Sequence, residues 1–135
     1  MSGERQAAYF GGEAERRYGY AQAVRAGDAV YVSGQIARDE GGELVGAGDM
    51  AAQMRAVYAN IARALAPFGA DLANVVEEVT YVTDVAAASE VAGEVRHEAY
   101  GVPAGEPIEV ASTLVQVVAL AHPDFMVEIR CTARL

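Results

Sequence analysis

Two ionisable residues of opposite sign, Glu128 and Arg130, stand two apart in a segment whose apolar residues alternate. Along residues 125–133, Phe125, Val127, Ile129, Cys131 and Ala133 fall on one face of a strand. Met126, Glu128, Arg130 and Thr132 fall on the other. A carboxylate and a guanidinium so placed can pair with each other. Cys131 shares the apolar face, so it reads as a buried structural thiol and not a nucleophile. His97 lies on the polar side of a helical segment and His122 in a turn, and neither forms a recognisable triad with a serine. One cysteine and two histidines without local ligand spacing argue against a structural zinc site. A lone cysteine forms no intrachain disulfide, which agrees with a reducing compartment.

Charge narrows the partners. The 10 basic residues are all arginine and scattered, against 19 acidic ones, for a net charge of −9. Phosphate binding relies on clustered cations, so nucleic acid is not an expected partner. Hydrophobic residues make up 53% of the chain, but no apolar run approaches the roughly 20 residues of a membrane span. The opening MSGERQAAYF lacks the apolar stretch of a secretory signal. The expectation is a cytoplasmic protein with no membrane partner. A length of 135 residues fits one domain.

The elements that must position these residues follow from periodicity. Residues 1–17 are polar and aperiodic and read as a loose N-terminal arm before a single domain over 18–135. Tyr20–Val24 is a short strand candidate. A second strand runs from about Ala29 to Ala37, with Val30, Val32 and Ile36 on one face and Tyr31, Ser33 and Gln35 on the other. Met54, Val57, Tyr58, Ile61, Leu65 and Phe68 have helical spacing, with Asp49 as N-cap and Gly69 as the stop. Val75–Thr83 is β-branched and reads as a third strand. Asp84 can cap a second helix over about Ala86–Tyr100. Two closing strands, about Val110–Ala119 and Phe125–Ala133, flank a turn at His122-Pro-Asp124. The order is ββαβαββ, an α+β protein with one mixed sheet and two helices on one face.

That architecture leaves one sheet face to be covered. The strand before the last is apolar on both faces, with Val115 and Val117 on one and Leu114 and Val118 on the other. Association is the expected way to bury the second face.

Several segments, in order, resemble the RidA/YjgF family: Tyr20-Ala-Gln-Ala-Val24, Ala26-Gly-Asp28, Val30-Tyr-Val-Ser-Gly-Gln-Ile36, Ala52-Gln53, Asn60-Ile61, Gly69-Ala70, Tyr81-Val-Thr-Asp84, Ser112-Thr113 and Val127-Glu-Ile129. The resemblance runs over about residues 18–134. It implies a chorismate-mutase-like fold and a homotrimer whose sheets form an inner β-barrel. It also implies small-metabolite clefts between subunits, and cofactor-free hydrolysis of reactive enamines and imines to a keto acid and ammonia. Glu128 then matches a glutamate that positions or activates the attacking water. Tyr20 matches a cleft-lining tyrosine, though it could equally be an interface filler. Ser33 and Gly34 match a Ser-Gly-Gln segment near the cleft. Gly34 reads either as close backbone approach there or as a bulge.

Ser112 departs from the pattern. Deaminating relatives carry a carboxylate-binding arginine at this place, whose guanidinium fork grips the substrate. Here the segment is Ile108-Glu-Val-Ala-Ser-Thr-Leu-Val115, and no arginine lies between Arg96 and Arg130. Glu106 and Glu109 stand nearby. Arg130 either pairs with Glu128 or supplies the missing cation from another direction. The resemblance therefore leads to an enamine/imine hydrolase whose substrate is not 2-aminoacrylate. A pathway lyase or tautomerase, or a non-catalytic ligand-binding or regulatory trimer, remains as an alternative. A ribonuclease is least favoured on charge.

Overall fold

The computed structural model describes residues 4–135. Its strands are β1 (Arg5–Ala8), β2 (Ala23–Ala26), β3 (Ala29–Gln35), β4 (Val75–Val82), β5 (Ala111–Gln116) and β6 (Val127–Arg134). Its helices are α1 (Glu13–Tyr18), α2 (Met50–Leu65) and α3 (Val85–Tyr100). One sheet holds all six strands in the order β1-β2-β3-β6-β4-β5. Only β4 and β5 pair in parallel, joined through α3, and the other neighbours are antiparallel.

Both long helices begin where the sequence predicts. The Asp49 carboxylate accepts from the Ala52 N–H at 3.0 Å and that of Asp84 from the Ala87 N–H at 3.1 Å. Each such cap contributes about 1 kcal/mol. Val57, Ile61 and Leu65 of α2 are wholly buried against Val30 of β3 and Val127, Ile129 and Ala133 of β6. A strand with that much core on one face belongs inside the sheet. This accounts for a difference from the expected closing pair: β6 does not lie beside β5 but inserts between β3 and β4, leaving β5 at the edge. Every residue of β5 is exposed in the single chain, Leu114 and Val115 both at 38%.

The N-terminal segment differs more. Residues 5–17, expected to be part of a loose arm, contribute β1 and all but the last residue of α1. Glu15 organises them: its buried carboxylate accepts from the N–H groups of Phe10 and Gly11 and from the Gln22 amide. Ordered backbone here follows from a polar side chain satisfied at a distance, which periodicity does not register. Among the described residues no helix is long and apolar enough to cross a membrane.

The polar residues buried in α2 have a positioning role. The Gln53 amide donates to the Asp124 carbonyl and accepts from the Met126 N–H, each at 2.8 Å. It thus fixes the entry to β6 two residues ahead of Glu128. Asn60 likewise holds the carbonyls of Ile36 and Arg38, just after β3.

Candidate functional site

The strand alternation of β6 is as predicted. Val127, Ile129, Cys131 and Ala133 are buried under the helices, while Glu128 and Thr132 are half-buried on the open face of the sheet. Glu128 sits opposite Tyr81 of β4 on one side and beside β3 on the other. The register of β3 against β6 slips between Val32 and Gln35, so that Ser33 and Gly34 together oppose one residue, Arg130. This is a β-bulge. A Cβ built on Gly34 would collide with Oε2 of Glu128. Both readings of Gly34 therefore hold: it bulges, and it leaves the notch that the Glu128 carboxylate fills. Burial pushes the pKa of that carboxylate up, with no cation or donor among the described residues offsetting it.

Ser33 and Tyr20 border the same region. The Ser33 hydroxyl donates to the Ala21 carbonyl at 2.6 Å, which draws β3 against the residue after Tyr20. Tyr20 itself precedes β2 and is not part of it. Its N–H and that of Gly19 both donate to the Glu15 carbonyl at the left-handed end of α1. Tyr20 is 38% exposed and lines an open groove of about 550 Å³ with Tyr9, Glu15 and Arg16.

Arg130 shares the face of Glu128 but does not pair with it. Its guanidinium turns to β4, 4.0 Å from Glu77, and the Tyr81 hydroxyl on that strand raises its pKa. Residues two apart on one strand are about 7 Å apart, so the cross-strand acid is the easier partner. Cys131 is buried, which lifts its thiol to about 12 and makes it inert as a nucleophile. His97 caps its own helix end, with Nδ1 2.9 Å from the Val102 carbonyl. His122 accepts from the Asp124 N–H within its turn.

Ser112 lies elsewhere. It is on the helix-facing side of edge strand β5, so one chain does not bring it together with Glu128. Its hydroxyl donates at 2.9 Å to Oε2 of Glu78 on β4. Glu78 is buried and gathers four donors: Ser112, Arg96 Nε at 3.1 Å, and the hydroxyls of Tyr58 and Tyr100. Burial, then the Glu78 charge, push both tyrosine pKa values up. Burial opposes the Arg96 charge, but the Glu78 carboxylate outweighs it and the guanidinium pKa rises.

A protein-family model for endoribonuclease L-PSP matches residues 13–135. A RutC family protein of Pyrococcus abyssi is 34% identical over 112 residues, 78% of this chain and 87% of that one. The chain belongs to the RidA/YjgF family. Among solved structures, Rv2704 of Mycobacterium tuberculosis, a member of the YjgF/YER057c/UK114 family, is 37% identical. It covers 98% of this chain and 100% of its own, with a TM-score of 0.82. A YjgF family member of Neisseria meningitidis is 27% identical, covering 99% and 97%, with a TM-score of 0.76. The fold of this RidA/YjgF protein is the chorismate-mutase-like α+β fold.

The Glu78 cluster is not among the residues that the sequence motifs single out. A signal was there: Glu78 has the parity of Thr80 and Val82, two buried residues of β4. An acid on a core face requires partners. Arg96 and Tyr100, one turn apart on α3, are residues that could supply them.

Proposed function

We propose that this RidA/YjgF protein hydrolyses an enamine or imine of a small metabolite, in a site that draws on two subunits, with Glu128 as the general base. The observation that carries this reading is the Glu128 carboxylate: half-buried, unpaired by any cation among the described residues, and seated in a notch that exists because residue 34 is glycine. An enamine first tautomerises to its imine. Glu128 takes a proton from water as the water oxygen bonds to the imine carbon. The C=N pair moves to nitrogen, which is protonated. The carbinolamine then collapses: the C–N bond breaks, ammonia leaves and a carbonyl forms. The chemistry draws on water and a proton carrier alone.

Two subunits enter because Glu128 and Ser112 face opposite sides of one sheet, and because β5 presents Leu114 and Val115 at an open edge. A homotrimer with an inner β-barrel satisfies both. Light scattering at micromolar concentration should give three times the chain mass, and a monomer would remove the composite site.

The substrate is not 2-aminoacrylate. Arg96 reaches Ser112 only through Glu78, whose Oε2 both share, and its guanidinium is already paired there. Losing a charge-assisted bidentate contact costs roughly 2–5 kcal/mol. A PLP dehydratase coupled to semicarbazide trapping would measure diversion of aminoacrylate to pyruvate. Diversion well below that by an arginine-bearing relative is expected, while imines generated by an amino-acid oxidase should be hydrolysed. No acceleration with any imine would leave a ligand-binding trimer in place of the enzyme.

A further inference from the structure

We propose that the subsite at Ser112 receives an uncharged carboxamide, making the substrate the enamine or imine of a 2-amino amide. This rests on the reading of Ser112 as a substrate-binding position.

The donors and acceptors around Glu78 decide what Ser112 and Arg96 can still offer a ligand. Its two oxygens each take two donors, Tyr58 and Tyr100 on one, Arg96 and Ser112 on the other. A hydroxyl has one hydrogen, and Ser112 has committed it to Glu78. Toward a ligand Ser112 therefore offers lone pairs only. Arg96 has committed Nε to Glu78, also engages the Tyr58 hydroxyl and lies over the Tyr100 ring; a guanidinium has five N–H donors, so some remain beyond these contacts. Its side chain is 22% exposed, while that of Glu78 is 0% exposed. The subsite thus presents one acceptor from edge strand β5 and one set of donors from α3, which meet at Oε2 of Glu78.

Its charge is balanced. The Arg96 cation and the Glu78 anion cancel, so a ligand carboxylate gains no net attraction. It would also set an oxygen against the lone pairs of Ser112. A carboxamide matches both halves: its carbonyl accepts from Arg96 and its NH₂ donates to Ser112. A site that uses a buried or fixed polar group in this way discriminates by what a wrong ligand leaves unpaired.

Pyruvamide and pyruvate differ in this one group, and either can be titrated into the full-length protein by calorimetry or ligand-observed NMR. Pyruvamide should bind about tenfold or more tightly, a difference of about 1.4 kcal/mol. Ser112→Arg should reverse the order, since it adds an unbalanced guanidinium at an exposed position. Glu78→Gln should move the ratio the same way by freeing the Arg96 charge. Equal binding, a preference for pyruvate in the unmodified protein, no binding of either, or an unchanged ratio in Ser112→Arg would each overturn the proposal. The hydrolase reading stands or falls separately: imine turnover without amide preference removes only the carboxamide subsite, and amide preference without turnover leaves that subsite in a binding protein.

Discussion

Glu128→Gln is expected to lower imine hydrolysis by about 10²–10⁴, the usual cost of losing a general base, while leaving stability and assembly unchanged. The amide keeps the shape that fits the Gly34 notch but accepts no proton at neutral pH. Stability should hold because Glu128 supports nothing else: Arg130 is tied to Glu77 and Tyr81, not to Glu128. The sign of the pKa shift points the same way. A carboxyl whose folded pKa is raised is one whose charged form the fold disfavours, so its ionisation subtracts from stability as pH rises through that pKa. Removing the charge therefore leaves the urea midpoint at neutral pH where it was or slightly higher. A variant with full turnover would move Glu128 to a structural role and favour the binding-protein alternative.

Glu78→Ala should be strongly destabilising, at about 3–5 kcal/mol, the cost of removing one partner of a buried ion pair. The change strands a half-buried guanidinium and removes the acceptor of three hydroxyls, two of them on tyrosines that stack edge to face at 5.6 Å. The neighbouring carboxylate provides the control. Glu77 is 36% exposed, holds the Thr132 hydroxyl and lies 4.0 Å from an exposed Arg130. Its replacement by alanine should cost no more than about 1 kcal/mol. The two residues are adjacent in sequence and identical in chemistry, so the contrast isolates burial. Urea denaturation at one fixed protein concentration reads both, and equal losses would contradict the described burial of Glu78.

Much of this was legible in the sequence, for definite reasons. Helices α2 and α3 announce themselves by apolar spacing between Asp caps and left-handed glycines, and β6 by strict alternation of small apolar residues. Periodicity reports which face is buried, but not which strand lies alongside. The interior place of β6 and the edge place of β5 were therefore not visible. Nor was the ordering of residues 5–17, which depends on Glu15 reaching forward to Gln22 and back to Phe10. Position 128 could be assigned to a face and, by resemblance, to a site. Its fit to Gly34 depends on a bulge between β3 and β6 that no local pattern encodes. Arg130 illustrates the remaining limit. Spacing along one strand suggested Glu128 as its partner, yet the nearest acid stands on the next strand, and register alone decides that. Ser112 could be seen to lack a guanidinium, whereas the Arg96–Glu78 pair that reaches it is assembled from three separate elements.

The role of Glu128 is most directly tested by the pH dependence of kcat/KM for enzyme-dependent imine hydrolysis, measured in parallel on the unmodified protein and Glu128→Gln. The base must be ionised to act, so activity should fall as pH drops through the Glu128 pKa, and burial places that midpoint above the ordinary 4.5 of a glutamate. The residual rate of Glu128→Gln should show no such limb. A profile without an acid limb in the unmodified protein, or the same limb in both proteins, would contradict the assignment of Glu128 as the base.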